Sequence, residues 1–240
     1  MGDQMAVERT KTPLATSIGV ALALGVPFIL VLTSSQFSAK SVGSTPVHTV
    51  LVREAMFWGL TIIVVLVLRF GERKPLRSIG LRRPTWMTPL LGIAGLVLIY
   101  ATEPLGTLML KATGGSVPKQ ALTFLGSMPI WLLVLITLRA AVCEEILFRG
   151  YGIERLTALT GSRFVGAIVP GIIFMAAHAQ NYGLRYMLFI LPTTVILTAL
   201  YLWRRDLAAN MTTHFLTDAL GVATAYAAVH GLIPARMLAG

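Results

Sequence analysis

Two adjacent glutamates and an arginine interrupt a long apolar stretch that begins at Ile130, and they are Glu144, Glu145 and Arg149. A charged side chain in hydrocarbon costs about 2.5–3.5 kcal/mol by insertion scales, so such groups persist mainly where they face a protein interior and have a function. On a helix, Glu145 and Arg149 stand four residues apart and can form an ion pair. Glu144 points in a different direction and lacks that partner. A carboxylate of this kind is a candidate general base.

Two histidines and an aspartate interrupt the apolar stretches that follow. His178 comes four residues after Phe174, and His214 precedes Asp218 by four residues, which places that pair on one helix face. Each has a structural explanation when taken alone, His178 as a packing residue and His214 as an imidazole oriented by Asp218. With Glu144 they make two carboxylates and two imidazoles on three helices. Helical bundles build sites in this way, from inward side chains on facing segments, so we predict one shared site.

Other polar residues in the apolar stretches have less definite roles. The sequence leaves three roles open for Arg139: reaching to the membrane surface, binding a substrate carboxylate, or pairing with Glu144. A tight ion pair with Arg139 would argue against Glu144 as a base. Cys143 is the single cysteine, which excludes an internal disulfide, and we interpret it as a small residue that permits close helix packing. His48 and His230 are interpreted as incidental.

The composition predicts an all-α integral membrane protein. The chain has 240 residues, of which 55% are hydrophobic and 12% are charged, and its mean hydropathy is +0.77. An average soluble domain carries about 25% charged residues. The net charge of +10 does not indicate a nucleic-acid partner, because the basic residues gather in short loops between apolar runs. No cleavable signal peptide is evident, and a bacterial inner membrane is the favoured location.

Seven membrane spans are predicted from the apolar runs. The second span begins at Val47 or at Ala55, depending on whether Arg53 and Glu54 lie toward the membrane surface or outside it. Glu103 and Pro104 mark the end of the third span, and a Gly-rich loop follows. The predicted spans cover residues 14–32, 47–70 (or 55–70), 87–102, 130–159, 164–179, 186–203 and 207–229, and the segments 1–12 and 34–45 are predicted to be a polar tail and a loop.

A basic loop between the second and third spans sets the predicted orientation. Six Lys/Arg lie within it or just before it, against the single acid Glu72: Arg69, Arg73, Lys74, Arg77, Arg82 and Arg83. Such loops stay in the cytoplasm, which predicts a cytoplasmic N-terminus and an external C-terminus. Leu76, Ile79 and Leu81 are predicted to rest on the membrane interface. We predict one domain, in which residues 1–128 form the N-terminal spans and basic loop, 129–229 the catalytic helical core, and 230–240 a tail.

The motifs carry a family resemblance. Glu-Glu-x-x-x-Arg at 144–149, Phe-x-x-x-His at 174–178 and His-x-x-x-Asp at 214–218 follow one another on successive apolar helices. This order resembles the CPBP family (CAAX proteases and bacteriocin-processing enzymes, also called ABI), which includes the type II CAAX prenyl endopeptidases. The resemblance covers about residues 132–221. Two departures are Asp218, where many members have asparagine, and the charged Arg139, where a small or apolar residue is expected.

The resemblance implies an intramembrane endopeptidase that acts on membrane-embedded or membrane-anchored peptides or proteins. Its implied catalytic residues are Glu144, His178, His214 and Asp218. Glu144 would activate water with His178 close by, while the other two would complete the site and stabilise the oxyanion. Glu145 and Arg149 would hold their helix in place. Neither serine nor cysteine is arranged as a nucleophile with these groups.

Two questions stay open at the level of sequence. A divalent metal such as zinc would find possible ligands in His178, His214 and Asp218 or Glu144, whereas a metal-free mechanism fits the same residues. The alternative from another class is a non-enzymatic polytopic membrane protein, either a proton-relay transporter or an immunity or scaffold protein. A relay needs its groups strung across the membrane, whereas a hydrolase needs them to converge. Convergence of the four polar side chains on one cavity is therefore the expectation that separates these classes.

Overall fold

The computed structural model describes residues 13–29 and 46–234. Within those ranges the chain consists of helices joined by turns and loops and contains no strand, which confirms the predicted all-α fold. The predicted tail at 1–12, the loop at 34–45, the last residues of the first span and most of the predicted C-terminal tail lie outside the described residues.

The described part of the chain forms eight helices, which we name α1 to α8 in chain order. A single 3-10 turn, Leu76–Ile79, lies in the basic loop. The helices are Leu14–Ile29 (α1), Val47–Gly71 (α2), Met87–Ala112 (α3), Lys119–Gly126 (α4), Ile130–Thr160 (α5), Arg163–Tyr182 (α6), Met187–Arg204 (α7) and Leu207–Val229 (α8).

Several of these helices are suited to a membrane. Among the described residues, α2, α3 and α7 are each long and apolar enough to cross it. Helices α4 and α5 meet the same criterion as a pair bent by 119°, and α1 and α6 are shorter apolar helices. Many large apolar side chains on α2 and α3 face outward, as expected of helices surrounded by lipid. The chain is thus an integral membrane protein with three or four candidate spans, and the predicted number of seven is not confirmed.

Helix α3 is longer than predicted, because Glu103 and Pro104 do not end it. The helix continues through Pro104 to Ala112. A proline removes one backbone donor, and close packing further along offsets that loss. At Gly106, a β-carbon would lie only 2.9 Å from the backbone oxygen of Phe189 on α7. Tertiary packing of this kind cannot be recognised in a single sequence, and it extends α3 beyond its predicted end. Helix α4 forms in part of the segment that was predicted to be a loop.

Small residues bring α3 close to α8, the helix that carries His214. A β-carbon at Gly92 or Gly95 would lie 2.5 Å from the side chain of Thr212 or Thr213. The hydroxyl of Thr213 donates to the backbone oxygen of Gly92 at 3.0 Å. Small residues and interhelical hydrogen bonds of this kind are typical of helix packing in membranes. These contacts fix the position of α8 at Thr213, the residue before His214.

The basic loop is attached to the body of the protein. Glu72 is buried and accepts hydrogen bonds from Tyr151 Oη at 2.5 Å and from Arg155 Nε at 2.6 Å, so it joins the end of α2 to α5. Ile79 is fully buried in the main core, which shows that its predicted position at the membrane interface is wrong. A β-carbon at Gly150 would lie 3.0 Å from the backbone oxygen of Ile79, so only glycine leaves room for this close approach.

Helix α5 departs from regular α-helical geometry where the candidate site lies. Residues Ala140–Ile153 have π-helical hydrogen bonding, and this segment contains both glutamates and Arg149. π-Helical turns are rare and often mark functional sites. All but one of these 14 residues are buried. The charged motif is consequently enclosed by protein and does not face lipid.

Candidate active site

All four predicted catalytic side chains line one cavity of about 450 Å³. Glu144 comes from α5, His178 from α6, and His214 and Asp218 from α8. The rest of the wall combines aromatic and aliphatic side chains with a few charged ones, including Arg53 and Glu103. The structure thus brings the four residues together, as the motifs predicted. Their catalytic roles stay a prediction.

Glu144 is not free of an ionic partner, which corrects one expectation. Arg139 Nη1 donates to Glu144 Oε1, so pairing with Glu144 is the role that the structure gives Arg139. The same guanidinium donates through Nε to both oxygens of Glu54 on α2, at 3.2 and 3.3 Å. All three side chains are buried. Arg139 therefore divides its charge between two carboxylates and contacts only one oxygen of Glu144.

The second oxygen of Glu144, Oε2, is not occupied by a hydrogen bond from the described residues. Oε2 is buried and has no hydrogen-bond partner in the part of the chain that the structure describes. It lies 3.9 Å from His178 Nε2, which is too long for a direct hydrogen bond. His178 Nδ1 lies 2.8 Å from the backbone oxygen of Phe174. Because a carbonyl can only accept, Nδ1 carries a proton, and Nε2, the nitrogen nearer to Glu144, is an acceptor in the neutral form of the ring.

Glu145 is the centre of a buried hydrogen-bond network. Its Oε1 accepts from Arg149 Nη1 at 2.9 Å, so the predicted ion pair is formed, and it also lies 2.9 Å from His214 Nδ1. Its Oε2 accepts from Asn210 Nδ2 at 3.2 Å. Arg149 in turn lies over the ring of Phe174, with 4.2 Å between the guanidinium carbon and the ring centroid. Glu145 therefore links α5 directly to α8.

His214 lies between two carboxylates. Its Nδ1 donates to Glu145, since an ionised carboxylate can only accept, and its Nε2 lies 3.5 Å from Asp218 Oδ2. Carboxylates that orient a functional histidine through one ring nitrogen are common in active sites. The sequence indicated Asp218 for that role, whereas the closer contact belongs to Glu145. The ring is consequently held at Nδ1 by a hydrogen bond, and its Nε2 lies within ion-pair distance of Asp218.

Three residues near the site were not assigned to it from the sequence. Glu54 and Arg53 were placed near the membrane surface, whereas both lie within α2 beside Arg139 or the cavity. No sequence pattern indicated a role for Asn210, although it lies one helical turn before His214 on α8. Arg53 and Glu54 could have been recognised as site residues because they are two charges inside a predicted span. Such charges are costly unless they are paired within the protein.

The candidate ligands that the sequence suggested are not arranged as a metal site. Among the described residues, no group of three or more His, Cys, Asp or Glu side chains is placed to hold a metal ion. Of the candidate ligands His178, His214 and Asp218, His214 has both ring nitrogens directed at carboxylates, and His178 uses Nδ1 for a backbone contact. This donor set does not fit a three-ligand zinc centre, so no step below passes through a metal.

Comparison with known proteins agrees with the motifs. The uncharacterized protein YpbD of Bacillus subtilis (strain 168) is 32% identical to the chain over 90 residues, which is 37% of this chain and 42% of YpbD. The chain therefore spans less than half the length of this relative. No solved structure matches the chain. Residues 126–220, which contain all three motifs, match the family model for type II CAAX prenyl endopeptidases of the Rce1-like kind, and this match confirms the predicted family resemblance.

Proposed function

We propose that the protein is an intramembrane endopeptidase that hydrolyses peptide bonds of membrane-embedded or membrane-anchored substrates with water activated by Glu144. The observation that carries the proposal is the environment of Oε2 of Glu144. This oxygen is buried, lacks a hydrogen-bond partner among the described residues, and lies 3.9 Å from an acceptor nitrogen of His178 beside a cavity of about 450 Å³. The match to an endopeptidase family over residues 126–220 supports the same reaction class.

In the proposed mechanism, a water molecule hydrogen-bonds to Glu144 Oε2 and His178 Nε2. Two acceptors 3.9 Å apart suit one water, which has two protons to donate. Glu144 takes a proton as the water oxygen attacks the peptide carbonyl carbon, and a tetrahedral oxyanion forms. Glu144 then gives this proton to the leaving amine, and the carbon–nitrogen bond breaks. Water attack needs no covalent intermediate with the protein.

In this proposal, His214 stabilises the oxyanion through a proton on Nε2. The contact with Glu145 fixes the ring so that Nε2 faces the cavity, next to Asp218. A preorganised donor at the developing oxyanion typically contributes a factor of roughly 10²–10³ in rate. Asp218 is an orienting group in this scheme, because an ionised carboxylate cannot itself donate to an oxyanion. Glu145 and Arg149 position the helix and the imidazole.

The ion pair with Arg139 is compatible with this role for a geometric reason. Arg139 contacts Oε1 of Glu144 and leaves Oε2 without a hydrogen-bond partner among the described residues. The guanidinium of Arg139 also pairs with Glu54, so its positive charge is divided between Glu54 and Glu144. A carboxylate anchored through one oxygen keeps a fixed orientation, which favours proton transfer at the other oxygen.

We further propose the predicted topology for the whole chain. Seven spans would place the N-terminus and the basic loop in the cytoplasm, and a bacterial inner membrane is the proposed location. The non-enzymatic alternative, a proton relay, would need its acids and histidines spaced along the membrane normal. The clustering of the four polar groups around one cavity favours the hydrolase.

The experiment is a comparison of membrane proteomes from cells that carry the wild-type protein, Glu144→Gln or Glu103→Gln, with new protein N-termini as the readout. Glu103 is a matched control, because it is an exposed acid of the same cavity wall and undergoes the same acid-to-amide change. We expect new termini with the wild type and with Glu103→Gln, and none with Glu144→Gln at equal membrane abundance. The same new termini with Glu144→Gln would refute the assignment of the base.

A further inference from the structure

Exposed arginines surround one end of the helical bundle, where α2 ends and α3 begins. We call them the basic rim. All are exposed side chains of the last turn of α2, of the α2–α3 loop or of the end of α7: Arg69, Arg73, Arg77, Arg82, Arg83 and Arg204. In the described part of the chain, no carboxylate lies within 4.0 Å of any of these guanidinium groups. The rim is therefore a surface of concentrated positive charge.

The three acids that the structure describes at this end of the molecule are engaged in internal contacts. Glu72 is buried and bonded to Arg155, and Glu154 is bonded to Arg205 at 2.6 Å. Asp206 accepts a hydrogen bond from the hydroxyl of Thr88 at 2.9 Å and caps the first turn of α8. None of these three acids is directed at the rim. Within the described ranges, the positive charge of the rim is consequently not compensated by these three carboxylates.

Large aromatic side chains lie next to the rim and are directed away from the protein. Phe70 is 73% exposed, Trp86 is 75% exposed and Trp203 is 70% exposed. Tryptophan concentrates at the boundary between membrane and water, where its apolar ring meets the hydrocarbon and its N–H meets the headgroups. The rim adjoins the apolar helices α2, α3 and α7, so these rings mark the level of lipid headgroups.

The rim is held as one surface and is joined to the candidate site helix. Arg82 Nη2 donates to the backbone oxygen of Arg204 at 3.2 Å, which connects the loop to the end of α7. The backbone N–H of Leu207 donates to Gly80 at 3.0 Å. The ion pair of Glu72 with Arg155 attaches the loop to α5. The hydroxyl of Tyr201 on α7 donates to Glu154 on α5 at 2.9 Å, so a ligand that neutralises the rim would bridge two elements that are each bonded to α5.

We propose that the basic rim binds the headgroups of anionic phospholipids. Guanidinium groups form paired hydrogen bonds to phosphate oxygens, and clusters of basic residues beside membrane helices attract anionic lipids. The adjoining exposed aromatic rings favour a lipid surface as the partner, because they can enter the interface while the arginines reach the phosphates. Lipid bound here would screen the repulsion among the arginines and stabilise the attachment of the loop to α5.

The test measures lipid binding to the full chain in a neutral detergent by native mass spectrometry. The probes are dioleoylphosphatidylglycerol, which is anionic, and dioleoylphosphatidylcholine, which has no net charge. The rim variant carries Arg73→Gln, Arg77→Gln and Arg83→Gln. The matched control removes the same number of exposed charges at the opposite end of α3 and beyond it, through Lys111→Gln, Lys119→Gln and Arg185→Gln.

We expect the wild type and the control variant to bind phosphatidylglycerol at least about tenfold more tightly than phosphatidylcholine, and we expect the rim variant to lose that preference. Equal affinities of the wild type for the two lipids would overturn the proposal. A rim variant that binds phosphatidylglycerol as tightly as the control variant would overturn it as well. Neither readout depends on peptide cleavage, so the result is separate from that of the proposed enzymatic function.

Discussion

At the scale of single residues, the candidate site depends on how one arginine is shared. Arg139 is buried between Glu54 and Glu144 and donates to both. If Glu54 did not hold Nε, the guanidinium would be free to turn and to engage both oxygens of Glu144, and no oxygen would remain for water. Glu54 is therefore a positioning residue, which acts on the proposed base through Arg139.

The substitution Glu54→Gln tests this sharing. The amide still accepts one hydrogen bond from Arg139 but lacks the charge that competes for it. We expect kcat for a cleaved substrate to fall on the order of tenfold with little change in KM, because hydrogen bonds to charged groups contribute about 1.5–3 kcal/mol. The measurement is steady-state cleavage by protein purified in detergent, with Glu103→Gln as the control. An unchanged kcat would show that Glu54 has no such role.

At the scale of elements, helix α5 holds the site together because it is fixed at several points. Glu145 joins it to α8 through His214 and Asn210, Arg139 joins it to α2, and Glu72 joins its far end to the basic loop. Buried ion pairs are not in themselves evidence of stability, but removing one member leaves the other charge buried and uncompensated. These contacts therefore specify where α5 lies relative to its neighbours.

The substitution Glu72→Leu tests one of these attachments. It leaves Arg155 buried without its carboxylate, which typically costs about 3–5 kcal/mol of stability. We expect the thermal unfolding midpoint in detergent to fall clearly below that of the wild type. The double variant Glu72→Leu/Arg155→Leu removes both charges and should recover a large part of the loss. A double variant as unstable as the single one would contradict the view that the uncompensated charge is the cause.

The sequence predicted most of these elements but few of the contacts between them. The apolar runs predicted α5, α7 and α8 within one or two residues of their observed bounds, because continuous apolar runs in a membrane protein form helices. The motif spacing also gave the ion pair of Glu145 with Arg149. The bonds from Arg139 to Glu54 and from Asn210 to Glu145 join residues 85 and 65 positions apart. No local pattern encodes such pairs, because they arise from helix packing.

At the scale of the whole molecule, the structure has two separate polar regions, the cavity and the basic rim. The cavity with the candidate catalytic groups is lined by residues of every helix from α2 to α8. The basic rim lies at the end where α2 stops and α3 begins. Short basic loops remain on the cytoplasmic side of membranes, so the rim is expected to face the cytoplasm.

Reporter fusions test this orientation. With seven spans, the two termini lie on opposite sides of the membrane. We expect a fluorescent protein fused before Met1 to fluoresce, because it folds in the cytoplasm, and alkaline phosphatase fused after Gly240 to be active, because it matures outside. A fluorescent N-terminal fusion together with an inactive C-terminal phosphatase, or a dark N-terminal fusion together with an active phosphatase, would show an even number of spans.

The cleavage rate of Glu144→Gln tests the central claim most directly. With a substrate identified from the new termini, kcat is measured for the purified wild type, Glu144→Gln and Glu103→Gln, with folding checked by thermal unfolding. General base catalysis contributes a factor of about 10²–10⁴, so Glu144→Gln is predicted to lose at least about a hundredfold while Glu103→Gln keeps the wild-type rate. A folded Glu144→Gln variant that cleaves at the wild-type rate would contradict the account.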